Sequence, residues 1–238
     1  MFRGFVDQKI YTIGEGTRRS GEVFAANNFI TLSPDFLGYG DSDPPSENSI
    51  EERFQTYTAA LTLLSSIENL NKALEKIEGN LVRADTQKIG IWGHSNGGQI
   101  ALSVLEISGK NYPAVLWAPV SKPFPYSILY YTDDFDDHGK ALRKAVANFE
   151  KDYDIEKYSL TNFLNWVEAP VQIHQGGSDE AVPQKWSDQL LDALKKLNKD
   201  INYFTYPGND HNLMPDAWSL AVSRSISFYR ENFKSLEK

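Results

Sequence analysis

Ser95 stands in the run Ile89-Gly90-Ile91-Trp92-Gly93-His94-Ser95-Asn96-Gly97-Gly98. An apolar, strand-like stretch leads into it and a helix-like stretch leaves it. The pattern Gly93-His94-Ser95-Asn96-Gly97 in that setting marks a sharp strand-to-helix turn that presents a nucleophilic serine. As a bare five-residue match the pattern is weak; the flanking elements make it specific. The neighbours of such a serine must be small, because its backbone is strained and strand and helix approach closely. The helix start then aims free N–H groups and its dipole at the place where an oxyanion forms.

A serine is inert without a base, and the base needs an orienting acid. The chain offers four histidines, His94, His138, His174 and His211. His94 lies inside the turn and is expected to point away from the cleft. His138 falls in an acidic stretch, and His174 ends a strand-like run, where a packed residue is the ordinary reading. His211 follows the last strand-like run in Gly208-Asn209-Asp210-His211, a loop position where parallel sheets place reactive groups. The acid belongs after the preceding strand, in the order serine, acid, histidine. Asp179 in Gly177-Ser178-Asp179-Glu180-Ala181-Val182-Pro183 fits that place; Glu180 is the neighbouring alternative and Asp210 a weaker one. The chemistry of such a set is acyl transfer to water, which requires no metal and no organic cofactor.

The elements that must position these residues are legible. Short apolar runs at Phe29–Leu32, Ile89–Trp92, Ala114–Trp117, Val171–His174 and Tyr203–Tyr206 read as buried strands. Helical stretches lie between most of them, so the expected architecture is α/β, a parallel sheet with helices on both faces. Ile50, Phe54, Tyr57, Leu61, Leu64, Leu70, Leu74 and Ile77 predict one long amphipathic helix stopping at Gly79. Further helices are expected from Asn96 to Ile107, from Gln184 to Leu197, and through Trp218, Val222, Ile226, Tyr229 and Phe233, the last packing on the sheet edge. Residues 121–166 carry two close prolines, several tyrosines and the acidic cluster Asp133–Asp137. They are read as a cap inserted in a single domain spanning 1–238, with the acidic run as a solvated surface.

Composition narrows the function classes. The 238 residues are 41% hydrophobic and 13% aromatic, enough for a sizeable core. A net charge of −8 argues against a general nucleic-acid or anionic-membrane surface. The absence of cysteine excludes disulfides, thiolate metal sites and a cysteine nucleophile. No apolar run approaches the roughly 18 residues a membrane span needs, and no secretory signal is visible, which favours a cytoplasmic placement.

With these pieces the chain resembles the α/β-hydrolase fold, and more narrowly the prolyl-oligopeptidase-like branch of serine peptidases and esterases. The stretches that carry the resemblance are Asn28–Ser42, Gly93–Gly98, Gly177–Pro183 and Gly208–His211. The resemblance implies Ser95, Asp179 and His211 as a triad and the Asn96 amide as one oxyanion donor. It implies the second donor in a loop matched to Arg3-Gly4-Phe5, from the Phe5 or Gly4 amide, with Arg3 replacing the residue relatives usually carry. In the family fold three strands precede the one matched to Phe29–Leu32. The expectation is therefore a sheet lacking its N-terminal strands, with Met1–Phe5 at most a stub of the third. A carboxylic ester is the expected substrate, a peptide of the kind dipeptidyl or aminoacyl peptidases cleave the alternative, and a non-catalytic binding protein or inactive fragment the remaining reading.

Overall fold

The computed structural model describes residues 1–79 and 81–235. Its centre is a sheet of four parallel strands, β1 (Ile91–His94), β2 (Ala114–Trp117), β3 (Val171–Gly176) and β4 (Ile201–Tyr206), in the order β1-β2-β3-β4. Both faces of the central strands are buried, which is why their sequences read as continuous apolar runs rather than alternating ones. The register pairs Trp92 with Val115, Val115 with Gln172, and Gln172 with Asn202.

On one face, α2 (Ser49–Ser66), α4 (Asn96–Ser108) and α7 (Gln184–Lys196) cover Ile91, Leu116, Val171 and Ile173. On the other, α1 (Arg18–Ala25) and α8 (Trp218–Ser235) cover Trp92, Val115, Trp117 and Tyr206. The last helix thus lies across a sheet face, not along the edge expected from sequence. Its hydroxyl-bearing Tyr229 donates to the Ile91 carbonyl from that face.

The predicted long helix is two helices. A 3-10 turn at Ile67–Asn69 separates α2 from α3 (Leu70–Glu78). The break is a tightened turn, in which the Ile67 amide bonds the Leu64 carbonyl three residues back instead of one four back. The short helix α1 has no counterpart in the sequence reading; only Ser20, Gly21 and Phe24 of it are buried.

The predicted strand at Phe29–Leu32 joins no ladder among the described residues. A strand exists only through its partners, and here the space between this segment and β1 is occupied by two residues. Met1 donates its amino group to the Leu32 carbonyl at 2.6 Å. Phe2 bridges to Gly93, donating to the Trp92 carbonyl at 2.8 Å and accepting from the His94 amide at 3.1 Å. Beyond this stub lies an open groove of about 470 Å³, lined by Thr31, Leu64, Ile89, Ile91, Tyr229 and Phe233 among others.

Residues 121–166 form α5 (Tyr126–Leu129), α6 (Lys140–Phe149) and several single turns. Phe124, Ile128, Val146 and Phe149 pack with Ile50 and Phe54 of α2, while Leu160 and Leu164 reach the main core.

Candidate active site

All four strands are parallel, so the loops that follow them open at one edge of the sheet. Ser95 follows β1 with φ 57° and ψ −120°, a backbone state that L-residues rarely hold. The surroundings enforce it. The Ser95 amide donates to the Trp117 carbonyl at 2.9 Å, and its own carbonyl accepts from Val120 and Gly98. A side chain on Gly93 would place its Cβ 2.3 Å from the Gly97 carbonyl oxygen, and one on Gly97 would lie 1.9 Å from that of Phe2. These two glycines are therefore fixed by space. Asn96 opens α4, so its N–H has no partner within the helix.

Asp179 and His211 meet at the ends of β3 and β4. His211 Nδ1 lies 2.8 Å from Asp179 Oδ2. The other carboxylate oxygen accepts the amides of Ala181 and Val182 at 2.9 and 2.8 Å. Burial alone would raise this carboxyl, but the imidazole of His211, the Val182 amide and the Gln175 side chain together hold it below the usual carboxylate range. With Nδ1–H committed to a carboxylate, Nε2 of His211 remains the acceptor. Glu180 is exposed, and Asp210 accepts the Asn212 and Met214 amides to shape the histidine loop. Of the three candidate acids, Asp179 alone touches the imidazole.

The structure does not join Ser95 Oγ to His211 by a hydrogen bond among the described residues. Proximity is set one residue earlier. His94 packs against His211 with ring centroids 4.5 Å apart and the planes tilted by 36°, and its Nε2 lies 2.9 Å from the His211 carbonyl oxygen. His94 therefore supports His211 from beneath, beside its backbone carbonyl. Burial, with the neighbouring His211, lowers its pKa to about 4, so it is a neutral support. Hydrogen bonds to a nucleophile are often loose without substrate and tighten when it binds.

Gly4 comes against the serine: a Cβ there would stand 3.0 Å from Ser95 Cβ and 3.6 Å from Oγ. Arg3 is buried, donates to the Gly4 carbonyl at 3.0 Å, and lies over the Tyr39 ring at 3.9 Å and the Tyr11 ring at 5.0 Å. Phe5 is largely exposed.

The other two histidines are elsewhere. His138 is exposed and bonds the Asp133 carbonyl. His174 is sealed within the sheet between Tyr206 and Gln172, at 2.8 Å from each, and burial lowers its pKa to about 3. Gln175 escaped the sequence reading. It is fully buried, and its Nε2 donates to Asp179 Oδ2 at 3.0 Å while Ser187 holds its carbonyl oxygen. Its position as a polar residue one step past an apolar strand was the available signal.

A parallel sheet with helices on both faces and a strained serine between strand and helix defines an α/β-hydrolase. A solved structure of DcsB in complex with its substrate analogue shares this fold over 97% of the chain and 89% of its own length, at a TM-score of 0.64 and 16% identity. Residues 48–236 match the prolyl oligopeptidase family, and the chain belongs to that family of serine hydrolases. It is 25% identical over 222 residues to an uncharacterized peptidase, YtmA, of Bacillus subtilis, covering 91% of the chain and 78% of that protein. It is 29% identical over 151 residues to an S-formylglutathione hydrolase of Arabidopsis thaliana, covering 61% of the chain and 48% of that protein. The chain thus spans about half the length of the second relative. No helix among the described residues is long and apolar enough to cross a membrane.

Proposed function

We propose that the protein hydrolyses carboxylic esters through an acyl-enzyme on Ser95, with His211 as base and Asp179 as the acid that orients it. The observation that carries this reading is the 2.8 Å contact of His211 with a buried Asp179, set beside the strained Ser95 turn. Ser95 Oγ attacks the acyl carbonyl as His211 Nε2 takes its proton. Asp179 keeps the imidazole in the Nδ1–H tautomer and stabilises its positive form. The Asn96 amide and the Gly4 or Phe5 amide stabilise the oxyanion; such donors are worth about 100–1000-fold each. His211 returns the proton to the leaving group, and water repeats the sequence on the acyl-enzyme. Residues 121–166 act as a cap beside the cleft in a single domain. Esters are placed first because they acylate readily even in a general-purpose site.

Peptide hydrolysis is the second reading. The family match and a relative named as a peptidase favour it. A fluorophosphonate probe is expected to label Ser95 and to leave Ser95→Ala unmodified; folded protein that takes no label overturns the catalytic assignment. Parallel assays on p-nitrophenyl esters and on aminoacyl and X-Pro p-nitroanilides separate the two readings. Anilide turnover exceeding ester turnover by orders of magnitude replaces the first reading with the second.

A further inference from the structure

A polar seam runs between α2 and α4 and ends at the proposed site. Asn96, Gln99, Ser103 and Glu106 lie at steps of three and four along one stripe of α4, a helix otherwise packed in apolar core. Facing them, Arg53 and Tyr57 stand one turn apart on α2. Arg53 Nη2 donates to Gln99 Oε1 at 2.8 Å and to Asn96 Oδ1 at 3.3 Å, and Gln99 passes a hydrogen bond to the Tyr57 hydroxyl at 3.1 Å.

Arg53 is the charged member next to the serine, since Asn96 directly follows Ser95. Its two acceptors are neutral amides, and no carboxylate lies within 4 Å of it among the described residues. Glu106 sits at the far end of the stripe, away from the serine, and burial pushes its carboxyl well above the usual range. Arg53 Nε is buried without a partner. The Tyr57 hydroxyl also lies within interaction distance of the guanidinium, and Nη1, unlike Nε, is not among the sealed unpartnered atoms. The Tyr131 hydroxyl is buried, unpartnered, and within electrostatic reach of both Arg53 and Asp179. A half-buried guanidinium held in place by two amides and lacking a counterion is a prepared site for an anionic oxygen.

We propose that Arg53 binds a carboxylate carried on the acyl part of the substrate, so that the enzyme prefers acyl groups ending in a negative charge over neutral ones of the same length. The proposal rests on the acyl-transfer reading above. Arg53 here determines specificity; it stands one residue from the nucleophile through Asn96 and takes no part in the proton transfers. If it only fastened α2 to α4, its removal would lower stability without changing the ratio between acidic and neutral substrates.

The test compares 4-nitrophenyl hydrogen adipate with its neutral methyl-ester counterpart. The wild-type protein is expected to favour the acid about tenfold in kcat/KM, mostly through KM, in line with a charge-assisted contact in a partly open site. Arg53→Met is expected to bring the ratio near one, and Arg53→Lys to keep part of it. A wild type indifferent to the carboxylate, or an Arg53→Met protein that retains the preference, overturns the proposal. Should Arg53→Met fail to fold, Arg53→Gln, which can still bond Asn96 and Gln99, carries the same comparison. Fluorophosphonate labelling separates the two levels. Ser95 that labels while the substrate ratio stays flat sinks the specificity alone, whereas unlabelled Ser95 sinks the acyl-transfer reading and this proposal together.

Discussion

The two sides of the candidate site are built differently. On the Asp179 and His211 side, β3 and β4 pair over their whole length, and the loops beyond them are tied by backbone bonds from Gly177 to Tyr206 and from Ser178 to Asn209. On the Gly4 side, one bridge between Phe2 and Gly93 joins the chain to the sheet, with Met1 on Leu32, Val6 on the Tyr39 hydroxyl and Arg3 packed among Tyr11, Phe36 and Tyr39. A ladder fixes position through many cooperative bonds, and its loops inherit that precision. One bridge fixes a point, and an aromatic cage must supply the rest. The proposed proton-transfer groups thus rest on secondary structure, and the proposed oxyanion loop rests on side chains.

The largest expected effect tests the first side. Asp179→Asn should lower kcat by about 10³–10⁴-fold in p-nitrophenyl ester assays while the protein still folds, because the imidazole loses its orienting anion. Glu180→Gln, on an exposed side chain, should stay within about twofold; the reverse ranking breaks the assignment of the acid.

Gly97→Ala probes the joint between the two sides. Its Cβ would lie 1.9 Å from the Phe2 carbonyl oxygen, so the bridge to Gly93 must open and Gly4 must withdraw from Ser95. A fall of about 100–1000-fold in kcat is expected, the scale of one lost oxyanion donor. Activity close to wild type would show that the Gly4 side is dispensable.

Arg3→Met should cost less. It removes the cation over Tyr39, a contact of about 0.5–2 kcal/mol, and the bond to the Gly4 carbonyl. We expect kcat to drop by about tenfold with a small loss in Tm. A larger effect on Tm than on kcat would assign Arg3 to folding rather than to the loop's position.

The smallest effect concerns acid stability on the ladder side. His174 is buried and neutral between β3 and β4, with its pKa lowered by burial to about 3. The unfolded chain takes up a proton near pH 6.5 and the folded one does not. Stability is therefore complete above that pH and falls as pH drops toward 3, by about 1 kcal/mol per unit from this residue. His174→Gln should lower Tm at pH 7 yet flatten its decline between pH 6.5 and 4, as followed by thermal melts. An unchanged slope would place the acid sensitivity elsewhere.

Much of this was legible in the chain itself. Central strands buried on both faces appear as apolar runs, so β2 was readable to the residue and β3 and β4 within two. α4 and α7 matched within a residue, because their apolar spacing is regular and Gly109 and Pro183 bound them. Gly93, Gly97 and Ser95 were recognisable because a strained turn admits few residue types. The order of acid and histidine loops singled out Asp179 and His211. The misses have physical causes. Phe29–Leu32 has strand composition, but composition does not supply a pairing partner. A 3-10 turn at Ile67–Asn69 divides the long helix, although the apolar spacing runs on through Ile67. His94 and Arg53 carry no sequence signature, since each acquires its role from a residue distant in the chain.

The sequence by itself determined the fold class, the serine turn and which loops bear the acid and the histidine, because those depend on local periodicity and backbone strain. Only the tertiary structure decided what meets what. It put the imidazole on Asp179 rather than on Glu180 or Asp210, turned His94 under His211, and brought Arg53 to Asn96. These contacts join residues far apart in the chain, and their geometry follows from strand register and helix packing, which no local pattern encodes.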